Sequence, residues 1–274
     1  MKIAILGLGS IGQRHARNLA EMGEADILGC DPRVGTEGFV TDGWVQAVSD
    51  AELVWQWGPD VVVICAPPPL HGDLAFAAIR RGAHCFIEKP LAHAQIVGRE
   101  VSDYAAQCDK RLTVGYQLRF QLGHISSGVD LTWECSQDMS QWPSQYQKNV
   151  LLEFSHEIDA ACYVNGPVRA VWAEQDPHSR GWILHLEHFT CTSRVIINPY
   201  SKTVSRGCYA SGARVWKFDH AKNDQAYKDE LAVFLNAIHN GSPFMDERLC
   251  TGPQAAHVLR IIEACQRSQR NYEV

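Results

Sequence analysis

The stretch "KIAILGLGSIGQRHARNLAEMG", residues 2–23, decides the fold. A short apolar run, Ile3 to Leu6, feeds glycines at 7, 9 and 12, and an amphipathic segment then runs to Gly23. This is a strand, a tight turn and a helix in the order that cradles a dinucleotide. Gly7 permits the turn, Gly9 lets backbone approach a pyrophosphate, and Gly12 lets the helix pack closely on the strand. The helix start, with Ser10 and Ile11, offers unpaired N–H groups and partial positive charge to the phosphates. Such a loop needs an acid about 20 residues further on to accept the ribose hydroxyls. The next strand, "ADILGCD", ends on Asp31. A carboxylate there repels a 2′-phosphate, and Arg33 two residues later could pair one. The carboxylate is expected to prevail, so NAD is favoured over NADP.

Outward from this unit, apolar runs and amphipathic segments alternate as far as about residue 118. "GWVQAVSDAELVWQWG" (43–58) reads as a helix and "DVVVICAPPP" as a buried strand. "HGDLAFAAIRRG" reads as a helix, "AHCFIEKP" as a strand, "AQIVGREVSDYAAQC" as a helix and "RLTVGYQ" as a strand. Strict alternation predicts a doubly wound parallel sheet, an N-terminal Rossmann domain over 1–118. Beyond it, "PVRAVWAEQ", "GWILHLEHFT", "SRVIINPY", "TVSRGCYA" and "ARVWKFD" alternate residue by residue. They predict an α+β domain over 119–274 with an open, mostly antiparallel sheet. A helix precedes them at "SHEIDAACYVNG", and two follow at "DQAYKDELAVFLNAIHNG" and "PQAAHVLRIIEACQRSQ".

A chain of 274 residues, 46% hydrophobic and 20% charged, suits two globular domains. A net charge of −6 argues against nucleic acid or an anionic membrane as partner. No apolar run approaches the roughly 20 residues that span a bilayer. The N-terminal run breaks at glycines before a basic, polar stretch, so it is expected to be folded structure and not a signal peptide. Ten cysteines lie singly, several in apolar runs, as expected of reduced thiols in a cytoplasmic protein. No metal is expected: His185 and His188 would face opposite sides of a strand.

Two further stretches carry chemistry. "HCFIEKPLA" (84–92) ends a buried strand on Glu88 and Lys89, with Pro90 closing it. That is either a strand end reaching solvent or a lysine at the carboxyl edge, where open α/β sheets hold ligands. In "LLEFSHEIDAACY", His156, Asp159 and Tyr163 are three and four apart and share a helix face. The face is either a solvated polar surface or a histidine base oriented by a carboxylate.

Together "GLGSIGQRHARNL", "PDVVVICAPPPLHGDLAFAAIRRGAHCFIEKPLA", "VGYQLRF", "LLEFSHEID" and the closing helices resemble the Gfo/Idh/MocA oxidoreductases, across almost the whole chain. The resemblance implies NAD(P)-dependent oxidation or reduction of a sugar, cyclitol or sugar nucleotide. It places Lys89 and His156 on the family's catalytic lysine and histidine, with Asp159 beside them. "LLEFSHEID", with Trp142 and Pro143 upstream, is similar to members of surface-polysaccharide sugar pathways. The expected cofactor set is Gly7, Gly9, Ser10, Ile11, Gly12, Asp31, Arg33, Ala66, Pro67, His71, Glu88 and Lys89. Glu88 is expected to position Lys89 or the nicotinamide ribose. Tyr116, Arg119, Asp159 and Tyr163 are the expected substrate residues, with Gln117 beside them, in a cleft between the two domains. An Arg119 facing substrate would favour a carboxylate or phosphate; otherwise it pairs with an acid of the second domain. A homo-oligomer through the second sheet is expected. A dinucleotide-binding regulator without turnover is the alternative, and retention of both Lys89 and His156 argues for the enzyme.

Overall fold

The computed structural model describes residues 1–24, 26–176, 180–241, 246–267 and 272–273. Ala25, Ser268 and Gln269, assigned above to regular elements, lie outside them. The elements run β1 (Ile3–Leu6), α1 (Ser10–Glu21), β2 (Ile27–Cys30), β3 (Gln46–Val48), α2 (Ala51–Trp57), β4 (Val61–Ile64), α3 (Pro68–Arg80), β5 (His84–Glu88), α4 (Gln95–Gln107) and β6 (Leu112–Gly115). There follow β7 (Leu131–Asp138), α5 (Ser144–Gln147), α6 (Val150–Glu153), α7 (Ser155–Asn165), β8 (Ala170–Gln175), β9 (Trp182–Glu187), β10 (Thr192–Asn198), β11 (Tyr200–Ala210) and β12 (Ala213–Lys217). The chain ends with α8 (Asn223–His239), β13 (Cys250–Thr251), α9 (Gly252–Arg267) and β14 (Tyr272–Glu273).

Two compact units result: Met1–Gln117 with Asp224–Ala256, and Leu118–Asn223 with His257–Val274. The return of Asp224–Ala256 to the first unit differs from a single break after residue 118. Its cause is local: Cys250 and Thr251 pair with Val114 and Thr113, and Phe234 of α8 meets Phe86 of β5 ring to edge.

The sheet of the first unit runs β13-β6-β5-β4-β1-β2-β3, parallel throughout except for β13. β1 and β4 are buried at every position, as a parallel sheet covered on both faces requires. The chain steps outward from β1 to β2 and β3, then returns to β4 on the other side of β1. That reversal opens a crevice at the carboxyl ends of β1 and β4, where doubly wound sheets bind ligands.

The helix expected over 43–58 is divided. Gln46–Val48 pairs in parallel with Leu28–Cys30, and only Ala51–Trp57 is helical. Asp50 forces the break, because its carboxylate caps the helix by accepting the Glu52 N–H at 2.9 Å.

The sheet of the second unit runs β12-β11-β7-β10-β9-β8-β14 and is antiparallel except for the β7–β10 pair. β7, "LTWECSQD", is a strand beyond those expected from the alternation, and it bonds to both β10 and β11. Leu131, Trp133 and Cys135 point inward with Val195, Ile197, Leu184 and Leu186, and α7 packs against β7 and β10. Among the described residues no helix is long and apolar enough to cross a membrane.

Candidate functional site

The glycine loop follows β1 and enters α1 directly. Gly7 has φ +93°, and a Cβ there would lie 2.7 Å from the Ala66 nitrogen. A Cβ on Gly12 would lie 1.9 Å from the Gly7 carbonyl oxygen, so helix and turn touch through a glycine that nothing larger can replace. Gly9 differs, since a Cβ there would meet nothing within 4 Å. The protein leaves that side of the loop open, which is the room a pyrophosphate needs. α1 also begins without a side-chain cap and without an acid in its first turn, so its leading N–H groups remain available to an anion. The residues present therefore fit a dinucleotide.

Asp31 stands just past β2 and is buried. Its Oδ2 accepts the Leu8 N–H at 2.9 Å, which ties the acid to the glycine loop. Arg33 donates Nε to Oδ1 at 2.8 Å and Nη2 to Oδ2 at 2.7 Å, and adds its backbone N–H at 3.0 Å. The Arg33 hydrogen bonds, opposed only by burial, hold the carboxyl down at about 2, so Asp31 is an anion at any ordinary pH. The guanidinium is occupied twice over, lying also 4.4 Å from the Phe39 ring centre. To take a 2′-phosphate it would have to leave Asp31.

Ala66 backs Gly7, and exposed Pro67 precedes α3. His71, one turn into α3, is buried with Nδ1 2.7 Å from the Pro90 carbonyl oxygen and Nε2 2.7 Å from that of Ala66. Both nitrogens face the protein's own backbone. His71 thus lies between the loop after β4 and the one after β5. Glu88, the last residue of β5, is buried with Oε1 2.6 Å from His15 Nε2. Lys89 follows half-buried, and the Lys89–Pro90 peptide is cis.

In the second unit, α7 carries His156, Asp159 and Tyr163, the first two buried. Asp159 meets Arg119 in a two-pronged pair, Nε to Oδ2 at 2.8 Å and Nη2 to Oδ1 at 2.6 Å, with both side chains 1% exposed. The Arg119 guanidinium lies 4.9 Å from the Tyr163 ring centre. Of the two alternatives for Arg119, pairing with an acid of its own domain is the one observed. Its charge is met by Asp159. In the first unit, Tyr116 is wholly buried and its N–H donates to Glu230 Oε1 at 2.9 Å, while the Gln117 amide donates to the Tyr227 hydroxyl at 3.0 Å. Tyr116 and Gln117 are therefore packed side chains, not exposed lining.

His15, Tyr227 and Glu230 escaped the sequence reading. The first had a signal: Gly12, His15, Ala16 and Leu19 form the i, i+3, i+4, i+7 stripe of α1, and a histidine on that stripe must find a polar partner. Tyr227 and Glu230 gave none, because their partners come from more than a hundred residues away.

Comparison with known proteins bears on the same regions. Residues 1–116 match the Gfo/Idh/MocA group, described as an oxidoreductase family with an NAD-binding Rossmann fold. The chain is 30% identical over 185 residues to the scyllo-inositol 2-dehydrogenase (NAD(+)) of Bacillus subtilis (strain 168), covering 61% of this chain and 54% of that protein. It is 28% identical over 139 residues to an inositol 2-dehydrogenase of Paracoccus denitrificans (strain Pd 1222), covering 46% of this chain and 40% of the other. The chain thus spans about half the length of the curated relatives it matches. In fold it is similar to a probable dehydrogenase from Thermotoga maritima, with TM-score 0.82, 19% identity, and 100% and 98% of the two chains covered.

Proposed function

We propose that the chain, whose residues 1–116 match the Gfo/Idh/MocA oxidoreductases, is a member of that family and an NAD-dependent oxidoreductase acting on a hydroxyl or keto carbon of a sugar, cyclitol or sugar nucleotide. One observation carries the reading. The glycine loop, the ionised Asp31 and the Glu88–Lys89 strand end all belong to the carboxyl edge of one parallel sheet. The scyllo-inositol 2-dehydrogenase relative supports both the cofactor and the polyol class.

The cofactor, when bound, supplies the acceptor or donor of hydride. The rest is done by the chain's own groups. The α1 N-terminus and the open side of Gly9 receive the phosphates, and Asp31 accepts the ribose hydroxyls. Lys89 donates a hydrogen bond to the substrate oxygen, stabilising the negative charge it carries once its proton is taken in oxidation, or gains as hydride reaches the carbonyl carbon in reduction. His156 takes the hydroxyl proton in oxidation and returns it in reduction. Asp159, held by Arg119, fixes α7 where His156 stands. We place the protein in the cytoplasm, in keeping with its ten free thiols. We also infer a homo-oligomer through the open sheet of the second unit. Its outer face carries the cross-strand row Trp172, His185, Arg194, Thr132 and Tyr209, over a concavity of about 1090 Å³.

The reading is tested by calorimetric titration with NADH, followed by a panel of myo-inositol, scyllo-inositol, free sugars and nucleotide sugars scored for NADH formation. Tight NADH binding with turnover of at least one polyol is expected. A protein that binds no dinucleotide contradicts it.

A further inference from the structure

Lys89 is flanked in sequence by two residues that are each gripped by a buried histidine. On one side His15, from the first helix, reaches Glu88 Oε1 at 2.6 Å. On the other, His71, from the third helix, reaches the Pro90 carbonyl oxygen at 2.7 Å and the Ala66 carbonyl oxygen at 2.7 Å. We propose that His15 and His71 are positioning residues for Lys89, forming a bracket that fixes the backbone on both sides of it and ties it to the loop after β4. This rests on the assignment of Lys89 made above.

The physical case begins with the rings. His15 is fully buried, standing edge-on to Phe86 at 5.5 Å and to Tyr227 at 5.7 Å between ring centres. Those contacts set the ring plane and leave Nε2 aimed at Glu88. A carboxylate accepts and cannot donate, so Nε2 must carry the proton. Nδ1 is buried and has no hydrogen-bond partner among the described residues. A buried carboxylate without a donor would be costly, so His15 makes an ionised Glu88 tolerable at the strand end. Gly115 completes the fit, because a Cβ there would lie 3.2 Å from Glu88 Oε1.

His71 works on backbone. Both partners are carbonyl oxygens, so a neutral ring bonds one of them and a protonated ring bonds both. The charged groups that act on it are Glu88, which favours the protonated ring, and Lys89, which opposes it. Only the protonated ring bonds Ala66 and Pro90 together; the neutral ring, wedged between the two carbonyls, bonds one and packs against the other. A long lysine side chain loses much rotamer freedom when it must meet a substrate oxygen. Fixing the main chain at residues 88 and 90 lowers that cost before substrate arrives.

The test uses the full chain and the variants His15→Phe, His15→Gln, His71→Leu and His71→Gln. Phenylalanine keeps the packing of ring 15 without the donor, and glutamine restores an N–H at similar reach. Amide hydrogen exchange is read at Lys89, Leu91 and Ala92, with the amides of β1 as the control. Exchange should rise about tenfold or more in His15→Phe and His71→Leu, the scale of one lost buried hydrogen bond, and return to within about threefold in the glutamine variants. With a substrate in hand, kcat should fall by a similar factor while KM for NAD stays put. Unchanged exchange at the three amides, or an equal rise in β1, overturns the bracket. Absence of turnover with every substrate would overturn the oxidoreductase reading alone, because the exchange measurement does not depend on it.

Discussion

Arg119→Leu separates a structural arginine from a substrate ligand, and the two give opposite results. The guanidinium makes two hydrogen bonds to Asp159, at 2.8 and 2.6 Å, with both side chains 1% exposed. Removing one member of a buried pair leaves the other charge uncompensated, which costs about 3–5 kcal/mol. For a protein of this size each kcal/mol lowers Tm by about 2–4 °C, so the loss is on the order of 10 °C. The double variant Arg119→Leu with Asp159→Leu should recover much of it, since apolar replacement of a whole buried pair is often nearly neutral. The assay is urea unfolding followed by circular dichroism, with calorimetry for Tm. A single variant within about 1 kcal/mol of the parent, or a double variant worse than both singles, would refute the reasoning. Arg119 would then be better read as a ligand-facing residue than as a structural one.

Cofactor preference follows from the Asp31–Arg33 pair: NADH should bind at least several-fold more tightly than NADPH in fluorescence titrations, and equal affinities would show that Arg33 decides instead. Two glycines of one loop should respond differently to alanine. Gly12→Ala, with its Cβ 1.9 Å from a carbonyl oxygen, should destabilise the protein, whereas Gly9→Ala should fold normally and bind NADH about tenfold or more weakly. A Gly9→Ala protein that binds NADH unchanged would move the pyrophosphate elsewhere. Burial pushes the pKa values of His71, His188 and His257 below their ordinary 6.5. The unfolded chain therefore takes up protons that the folded one refuses, and stability should fall as pH drops through that value. Urea midpoints at about pH 7.5 and 5.5 check the sign, and a higher midpoint in acid would contradict it.

Much of the first unit is legible because a parallel sheet covered on both faces leaves runs such as "IAIL" and "VVVI" with no polar position. Gly7, Gly9 and Gly12 are equally plain, since only a turn between strand and helix needs three such residues at that spacing. β3 was hidden because "WVQAV" leads into a real helix without a proline or glycine, and the capping role of Asp50 shows only once its partner is known. β7 was visible in principle, for Leu131, Trp133 and Cys135 alternate with Thr132, Glu134 and Ser136. Arg119 could not be decided from sequence at all. Its two fates differ only in whether an acid lies opposite, and Asp159 is 40 residues away. His71 shows the same limit, because backbone carbonyl partners leave no trace in residue type.

Comparing the parent with Lys89→Ala and His156→Ala tests whether these two side chains turn over a polyol with NAD. NADH formation is followed on the best substrate of the panel, beside NADH affinity for each protein. Each variant should lose turnover by about 10² or more, the scale of a removed acid, base or electrostatic partner. NADH affinity should stay within about threefold if the α1 N-terminus and Asp31 supply most of the cofactor's binding. Turnover surviving nearly intact in either variant would remove that residue from the reaction.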